Sequence, residues 1–414
     1  VPSRRIPLSL QIIVAMALGL LVGPLLGGSA APLGEIGKLV IQLIKAVAAP
    51  LVFFAIVHAI LTTEIPGRAG LRMLAFAFIN GSVALTIGLL LSNLIKPGRL
   101  LEHLPKTDVG AAAAYADKKI DILKTFAGFF PSSVVQPFAD NFILSVVMLA
   151  LLLGFALRAL KARRNDESAE VLAGIAAIEA GVAALRRVME LVLGWIIALL
   201  PFAVFGVVAR TVAEHGYSPL HGLVAYLGVG LLGMGLHIAI WYQLLLLALS
   251  AIALRRFWAE AKEPAVYALG ANSSLATLPI TLRALDRLGV SRSASALGAC
   301  VGTNFNNDGI ILYEGMAVLF VAQAHGIDLS LGQQLLAAGA CLVAAMGVAG
   351  VPEAGLISLA LVLGTVGLPV EILPLLLTVD WILGRARSAT NVLSDMVLSI
   401  MTDRGMKRVP PASP

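Results

Sequence analysis

Ala268-Leu-Gly-Ala-Asn-Ser-Ser-Leu-Ala-Thr-Leu-Pro279 and Gly347-Val-Ala-Gly-Val-Pro-Glu-Ala-Gly355 are runs of small and polar residues set between apolar arms too short to cross a bilayer. A full crossing takes about 20 apolar residues in one helix. Non-helical backbone at membrane depth persists only where it is buried in protein or lines a cavity, because its N–H and C=O groups need partners. Both runs read as tips of re-entrant helical hairpins. Each is followed by a long helical pattern with polar residues in its middle, at about 291–323 and 371–402. Ordinary interhelical loops are the competing reading, and they leave those central acidic residues unexplained. A hairpin–helix unit that occurs twice is the outline of an internal repeat, and matched discontinuous segments point to a transport site.

The rest of the chain agrees with a membrane setting. Of 414 residues, 59% are hydrophobic and only 13% charged, where a soluble domain carries roughly 25% charged residues. Charges gather at the ends of apolar runs, as a bilayer requires. The net charge of +6 comes from short basic clusters beside those runs, which fits the positive-inside rule better than nucleic-acid binding. Cys300 and Cys341 supply neither a disulfide framework nor a metal-thiolate motif. No nucleophile-plus-base motif appears, so an enzyme reading has no support and no cofactor is expected.

Six spans are predicted before residue 255, at about 7–27, 34–62, 72–95, 125–160, 178–213 and 219–253. Several exceed one upright crossing, and tilt or kinks are expected at Pro50, Pro131, Pro137 and Pro201. The basic start, Val1 to Arg5, leads into the first span and reads as part of it, not as a removable signal. With the N-terminus in the cytoplasm, Arg68, Arg72, Arg158, Lys161, Arg163, Arg255 and Arg256 fall inside. Lys96, Arg99, Lys106, Lys118 and Lys119 fall outside. The bias favours a multi-pass plasma (inner) membrane protein with both termini cytoplasmic.

The last helix carries the chemistry: Asp380-Trp-Ile-Leu-Gly-Arg-Ala-Arg-Ser-Ala-Thr-Asn-Val-Leu-Ser-Asp395. Asp380, Gly384, Arg387, Asn391 and Asp395 follow helical spacing and share one face. A charge at the bilayer centre must face protein or a water-filled cavity. Arg387 therefore needs an anion: Asp380, two turns earlier, when empty, and a substrate carboxylate when loaded. Its planar two-pronged guanidinium suits a carboxylate. A purely structural Arg–Asp pair is the alternative, and Arg385 points elsewhere, as a snorkelling or cavity residue.

The preceding helix contains Gly302-Thr-Asn-Phe-Asn-Asn-Asp-Gly309. Asn306-Asn307-Asp308-Gly309 within a span predicts local unwinding, and carbonyls, amide oxygens and the Asp308 and Asp395 carboxylates are ligands for a hard cation. A hydrogen-bonded polar cluster joining two helices is the other reading. Glu314 lies among apolar neighbours and is either a proton carrier or a neutral structural group. Ser273 and Ser274 offer hydroxyls and backbone amides near a helix start, where an anion is favoured. Gly347, Gly350 and Gly355 around Pro352 make the second tip pliable, as a gate must be.

At these residues the chain resembles the glutamate transporter family, which includes bacterial aspartate, glutamate and dicarboxylate symporters and animal excitatory amino-acid transporters. Asn306-Asn307-Asp308-Gly309 is similar to the family's Asn-Met-Asp-Gly motif, Gly350-Val-Pro-Glu-Ala-Gly355 to its second hairpin tip, and 380–395 to its last helix. The resemblance implies an all-α polytopic membrane protein with eight transmembrane helices, two re-entrant hairpins, inverted repeats and elevator-type alternating access. It implies a homotrimer in the lipid bilayer, with scaffold helices in 1–70 and 99–215. The transport domain then comprises 71–98 and 216–414, with hairpins at about 257–288 and 330–368. Arg387 would bind the distal carboxylate of a small anionic substrate. Asn391, Ser273, Ser274, Gly384, Gly350, Val351 and Gly355 would surround the rest. Gly302, Asn306, Asp308, Asn391 and Asp395 would hold a coupling cation, sodium and/or a proton.

Some positions depart from the family pattern. Gly384 stands where amino-acid transporters carry an Asp for the substrate amine. Ala77, Asn80 and Gly81 align with a Tyr, Thr and Ser of one sodium site, so sodium dependence weaker than in typical relatives is expected. The function expected is secondary symport of a dicarboxylate or an acidic amino acid. An uncoupled anion conductor or a ligand sensor on the same fold are the alternatives.

Overall fold

The computed structural model describes residues 8–62, 67–101, 130–140, 142–163, 168–217, 219–347 and 354–404, and the regular structure among them is entirely helical. Helices α1 (Leu8–Leu26) and α2 (Ala31–Thr62) are joined by a tight turn that Gly27 makes with φ +49°. Helix α3 spans Gly67–Ile95 and α4 Ile143–Ala162. Pro50 lies within α2 without ending it. The segment expected at 125–160 starts at Ile143 instead, because Phe142 is extended at the N-cap. Pro137 opens a separate one-turn helix at Gln136–Ala139, and Pro131 precedes it. The segment expected at 178–213 is a pair, α5 (Ala169–Ile197) and α6 (Leu200–His215), bent by 41°. Ser168 caps α5 by accepting from the Val171 N–H at 3.3 Å, which moves its start upstream. Pro201 occupies the first turn of α6, where its missing N–H costs nothing but ends the α5 ladder.

Helix α7 (Pro219–Leu236) runs through a π turn, His237–Tyr242, into α8 (Gln243–Leu249). The second half begins with a helical pair, α9 (Leu254–Ala271) and α10 (Ser274–Leu288). Asn272 in the left-handed region ends the first and Ser273 caps the second. A short helix, a π turn at Ala296–Val301 and a 3-10 turn at Gly302–Asn304 then lead to α11 (Asp308–Ala324). A second pair follows, α12 (Leu331–Ala344), opened by a Ser330–Gln333 capping box, and α13 (Ala354–Thr365). The long α14 (Leu373–Asp403) closes the fold.

Polarity is arranged inside out. Asp308 and Glu314 are 0% exposed, Asp380 2%, Asp395 4% and Arg387 5%, while Leu21, Leu25, Leu94, Trp195 and Phe202 are each more than 60% exposed. Apolar side chains outside and charges inside suit lipid and not water. Four helical stretches are long and apolar enough to cross a membrane, Leu10–Thr62, Arg68–Ile95, Leu144–Ala162 and Leu220–Leu249, and the bent α5–α6 pair adds a fifth. Helix α14 is not among them, since its middle carries Asp380, Arg385, Arg387 and Asp395. The regular structure of the described residues is all helical, and the chain is an integral membrane protein.

Small residues bring the helices close, as they do in membranes. A Cβ on Gly23 of α1 would lie 2.5 Å from the Ala209 carbonyl of α6, and one on Gly88 of α3 2.8 Å from the Leu312 carbonyl of α11. Helix α14 is buried over most of its length against α9, α7 and α11, and so becomes the spine of the site.

Candidate substrate and cation site

Arg387 sits where four elements meet. Its Nη2 donates to Asp380 Oδ2 at 2.9 Å, and the guanidinium lies 4.1 Å over the Tyr313 ring of α11. Gly355, in the first turn of α13, packs so closely on the guanidinium that no Cβ fits there. On the remaining side is Gly384, whose Cβ would stand 3.3 Å from Arg387 Nη2 and 3.2 Å from Asn272 Oδ1 at the α9–α10 tip. Glycine at 355 and 384 thus opens the approach to the guanidinium. Two buried opposite charges lose hydration energy that their attraction only partly returns, so such a pair is not retained for stability alone.

The α9–α10 junction is held by local hydrogen bonds. Ser273 Oγ accepts from the Ala276 N–H at 3.2 Å, and Thr277 Oγ1 donates to the Ser273 carbonyl at 2.8 Å. Ser274 begins α10, and Ser388 donates to Asn272 Oδ1 at 3.3 Å. Arg385, expected in a cavity or at the interface, instead donates to the carbonyls of Leu269 and Gly270 at 2.8 and 2.7 Å. A cation on the last carbonyls of α9 satisfies acceptors that the helix end leaves open.

Beside this lies the polar break ahead of α11. The helix lapses at Phe305–Asn307, and Asn307 has φ −107° and ψ 56°. The Phe305 and Asn306 N–H groups both donate to the Gly302 carbonyl, at 2.7 and 2.8 Å. Asn306 Nδ2 donates to Ser394 Oγ at 2.8 Å and lies 3.3 Å from Asp395 Oδ1. Asn391 Oδ1 accepts from the Gly309 N–H at 2.8 Å, its Nδ2 donates to Asn307 Oδ1 at 3.3 Å, and Asn307 Nδ2 donates to the Ala345 carbonyl at 2.8 Å. Asp308 Oδ2 accepts three bonds, from His237 Nε2 at 3.0 Å, Tyr242 at 2.9 Å and Ser394 at 2.5 Å. By contrast, Asp308 Oδ1 and Asn306 Oδ1 are buried without a hydrogen-bond donor. Orphaned buried acceptors are costly, and a carboxylate oxygen with an amide oxygen suits a hard cation.

Glu314, one turn past Ile310, is fully buried, and the polar groups facing it are Ser358 of α13, Cys341 of α12 and Arg387. Gly347 ends a 3-10 turn after α12, while Gly350, Val351 and Pro352 lie outside the described residues. Asn80 accepts from Trp241 Nε1 at 3.0 Å, Gly81 is packed by Ile311, and Ala77 lies in an apolar cluster with Met73, Leu297 and Leu398. This patch of α3 is filled by packing and one amide. Tyr313, Ser394, His237, Tyr242 and Asn272 join the site although sequence reasoning did not single them out. An ionisable His in an apolar span was an available signal, but nothing local paired it with Asp308.

Residues 8–405 match the sodium:dicarboxylate symporter family. The chain belongs to that family. Relatives named C4-dicarboxylate transport protein include one from Deinococcus radiodurans, 31% identical over 97% of this chain and 90% of the relative. Another, from Laribacter hongkongensis, is 32% identical over 96% and 90%, and one from Anaeromyxobacter sp. strain K is 33% identical over 96% and 89%. As a member of the symporter family the chain is a transporter and not an enzyme.

Proposed function

We propose that this symporter carries a C4-dicarboxylate such as succinate, fumarate or malate, coupled to sodium. The observation that carries the reading is that no further carboxylate is supplied at position 384, beside the Arg387–Asp380 pair. At Gly384 the closest groups are an amide, Asn272, and the Arg387 guanidinium itself. An ammonium brought there meets a cation, and the carboxylate one turn away, Asp380, is already held by that cation at 2.9 Å; a buried charge without a partner of its own is far too costly. A substrate with carboxylates and no amine avoids that cost. The names of the relatives support the same substrate class.

One substrate carboxylate takes the Arg387 guanidinium in place of, or alongside, Asp380. Asn391 and the first-tip serines Ser273 and Ser274 bind the other end, Gly355 belongs to the guanidinium side, and Gly350 and Val351 are assigned to substrate binding and Gly347 and Pro352 to gating. Asn306, Asp308, Asp395, Asn391 and the Gly302 carbonyl hold sodium. Helix α3, α7–α8 and everything from α9 onward move as one transport domain against a scaffold of α1, α2 and α4–α6, the elevator motion. Eight crossings with both termini cytoplasmic and a trimer joined through α2 and α4–α6 complete this reading. Glu314 adds a proton to the coupled ions, since a fully buried carboxyl close to the second hairpin is most easily moved across a membrane neutral.

Purified protein in liposomes tests the coupling. An inward sodium gradient drives accumulation of labelled succinate above its external level. An imposed pH gradient adds to it in the parent and not in Glu314→Gln. Uptake that only equilibrates, whatever the sodium gradient, contradicts the symport reading, and an unaltered pH response in Glu314→Gln removes the proton role.

A further inference from the structure

The π turn at His237–Tyr242 places two side chains on one carboxylate oxygen. Residues five apart lie about 140° around an α-helix and face different ways. An i→i+5 turn returns them toward one face. Here His237 Nε2 and the Tyr242 hydroxyl both reach Asp308 Oδ2, at 3.0 and 2.9 Å, and Ser394 reaches it from α14. An ionised carboxylate offers only acceptors, so the imidazole donates from Nε2. All three donors lie on one oxygen, and the other, Oδ1, is left buried without one. The same turn is tied down on two further sides. Trp241 donates to Asn80 of α3, and Gln243 accepts from Trp258 of α9 while donating to the Ile238 carbonyl.

We infer that His237 and Tyr242 are positioning residues for sodium: by holding Oδ2 of Asp308 from α7–α8, they aim Oδ1 at the cation. The inference rests on the sodium site proposed above. Partners that orient a metal-binding carboxylate control its affinity although they never touch the ion. Helix α7 thereby joins the site through a ligand it does not itself supply. In His237→Ala the carboxylate is free to rotate, and sodium binding weakens. A neutral donor at the same place is enough, because the role is geometric. His237→Gln, with an amide N–H near the Nε2 position, therefore recovers it.

Sodium chloride titrations of the full chain in detergent, followed by thermal shift with choline chloride holding ionic strength, test this. The half-saturating sodium concentration rises about tenfold or more in His237→Ala, and His237→Gln returns most of the way. Tyr242→Phe, which removes one hydroxyl, shifts it in the same direction and serves if His237→Ala does not fold. Succinate affinity measured at saturating sodium moves much less than the sodium half-saturation, which a general loss of packing would not produce. If Asp308→Asn loses sodium binding while His237→Ala and Tyr242→Phe match the parent, the positioning role is wrong. If Asp308→Asn itself binds sodium as the parent does, the cation-site reading fails and the positioning role with it.

Discussion

Replacing Arg387 by alanine will abolish succinate binding and uptake, and lysine at the same position will restore little of either. The guanidinium is buried, donates to Asp380 at 2.9 Å and has its central carbon 4.1 Å from the Tyr313 ring centroid. Alanine removes the guanidinium that meets Gly355 and faces Gly384, and it leaves the Asp380 carboxylate buried and uncompensated. Breaking a buried pair this way costs about 3–5 kcal/mol of stability, and the substrate carboxylate loses its charged donor altogether. Lysine keeps the charge but loses the planar fork, so it cannot present two N–H groups in that fixed geometry to one carboxylate. Asp380→Asn is the informative companion. It relieves the uncompensated charge, so the double variant Arg387→Ala, Asp380→Asn regains thermal stability without regaining succinate binding. Undiminished uptake by Arg387→Ala would refute the assignment.

Gly384→Asp will turn the specificity of the site away from dicarboxylates. The new Cβ stands 3.2 Å from Asn272 Oδ1 and 3.3 Å from Arg387 Nη2, close enough that the Asn272 amide must yield by a few tenths of an ångström. The added carboxylate then competes for the guanidinium and repels the second carboxylate of a bound succinate. Like charges brought together in a binding site cost several kcal/mol, so succinate affinity falls at least about tenfold. The same carboxylate gives an ammonium an acceptor beyond Asp380, which Arg387 already holds, and aspartate gains. Gly384→Ala separates the two causes, because it adds the bulk without the charge and weakens succinate far less. Should Gly384→Asp bind succinate as tightly as the parent, the charge at this position does not select the substrate.

How much of this was legible in the sequence follows from the range of each contact. Asp380 and Arg387 stand two turns apart on one helix, so their shared face could be read from spacing alone. Asn306-Asn307-Asp308-Gly309 could be read as a break, because two amides, a carboxylate and a glycine do not continue an apolar span. The end of α9 and the starts of α10 and α12 could be read locally, since Asn272, Ser273 and Ser330 are end signals with a known chemistry. The π turn was not legible. His237 and Tyr242 are on different faces of an ideal helix, and their common partner is Asp308, 71 and 66 residues away. The start of α4 at Ile143 and the 41° bend after α5 were also missed, because an apolar run shows where lipid is tolerated and not where a helix ends. Arg385 points away from Arg387 as its position predicts, but its partners were not legible for a related reason. Its partners are backbone carbonyls at the end of another helix, and no residue type announces them.

Competition binding in sodium tests the central claim most directly, with the purified chain, labelled succinate, and unlabelled malate, fumarate, aspartate and glutamate as competitors. The account predicts that the dicarboxylates displace succinate at concentrations well below those needed for either amino acid, and that replacing sodium by potassium removes the binding. Tighter binding of aspartate or glutamate than of succinate or malate, or succinate binding indifferent to sodium, would contradict it.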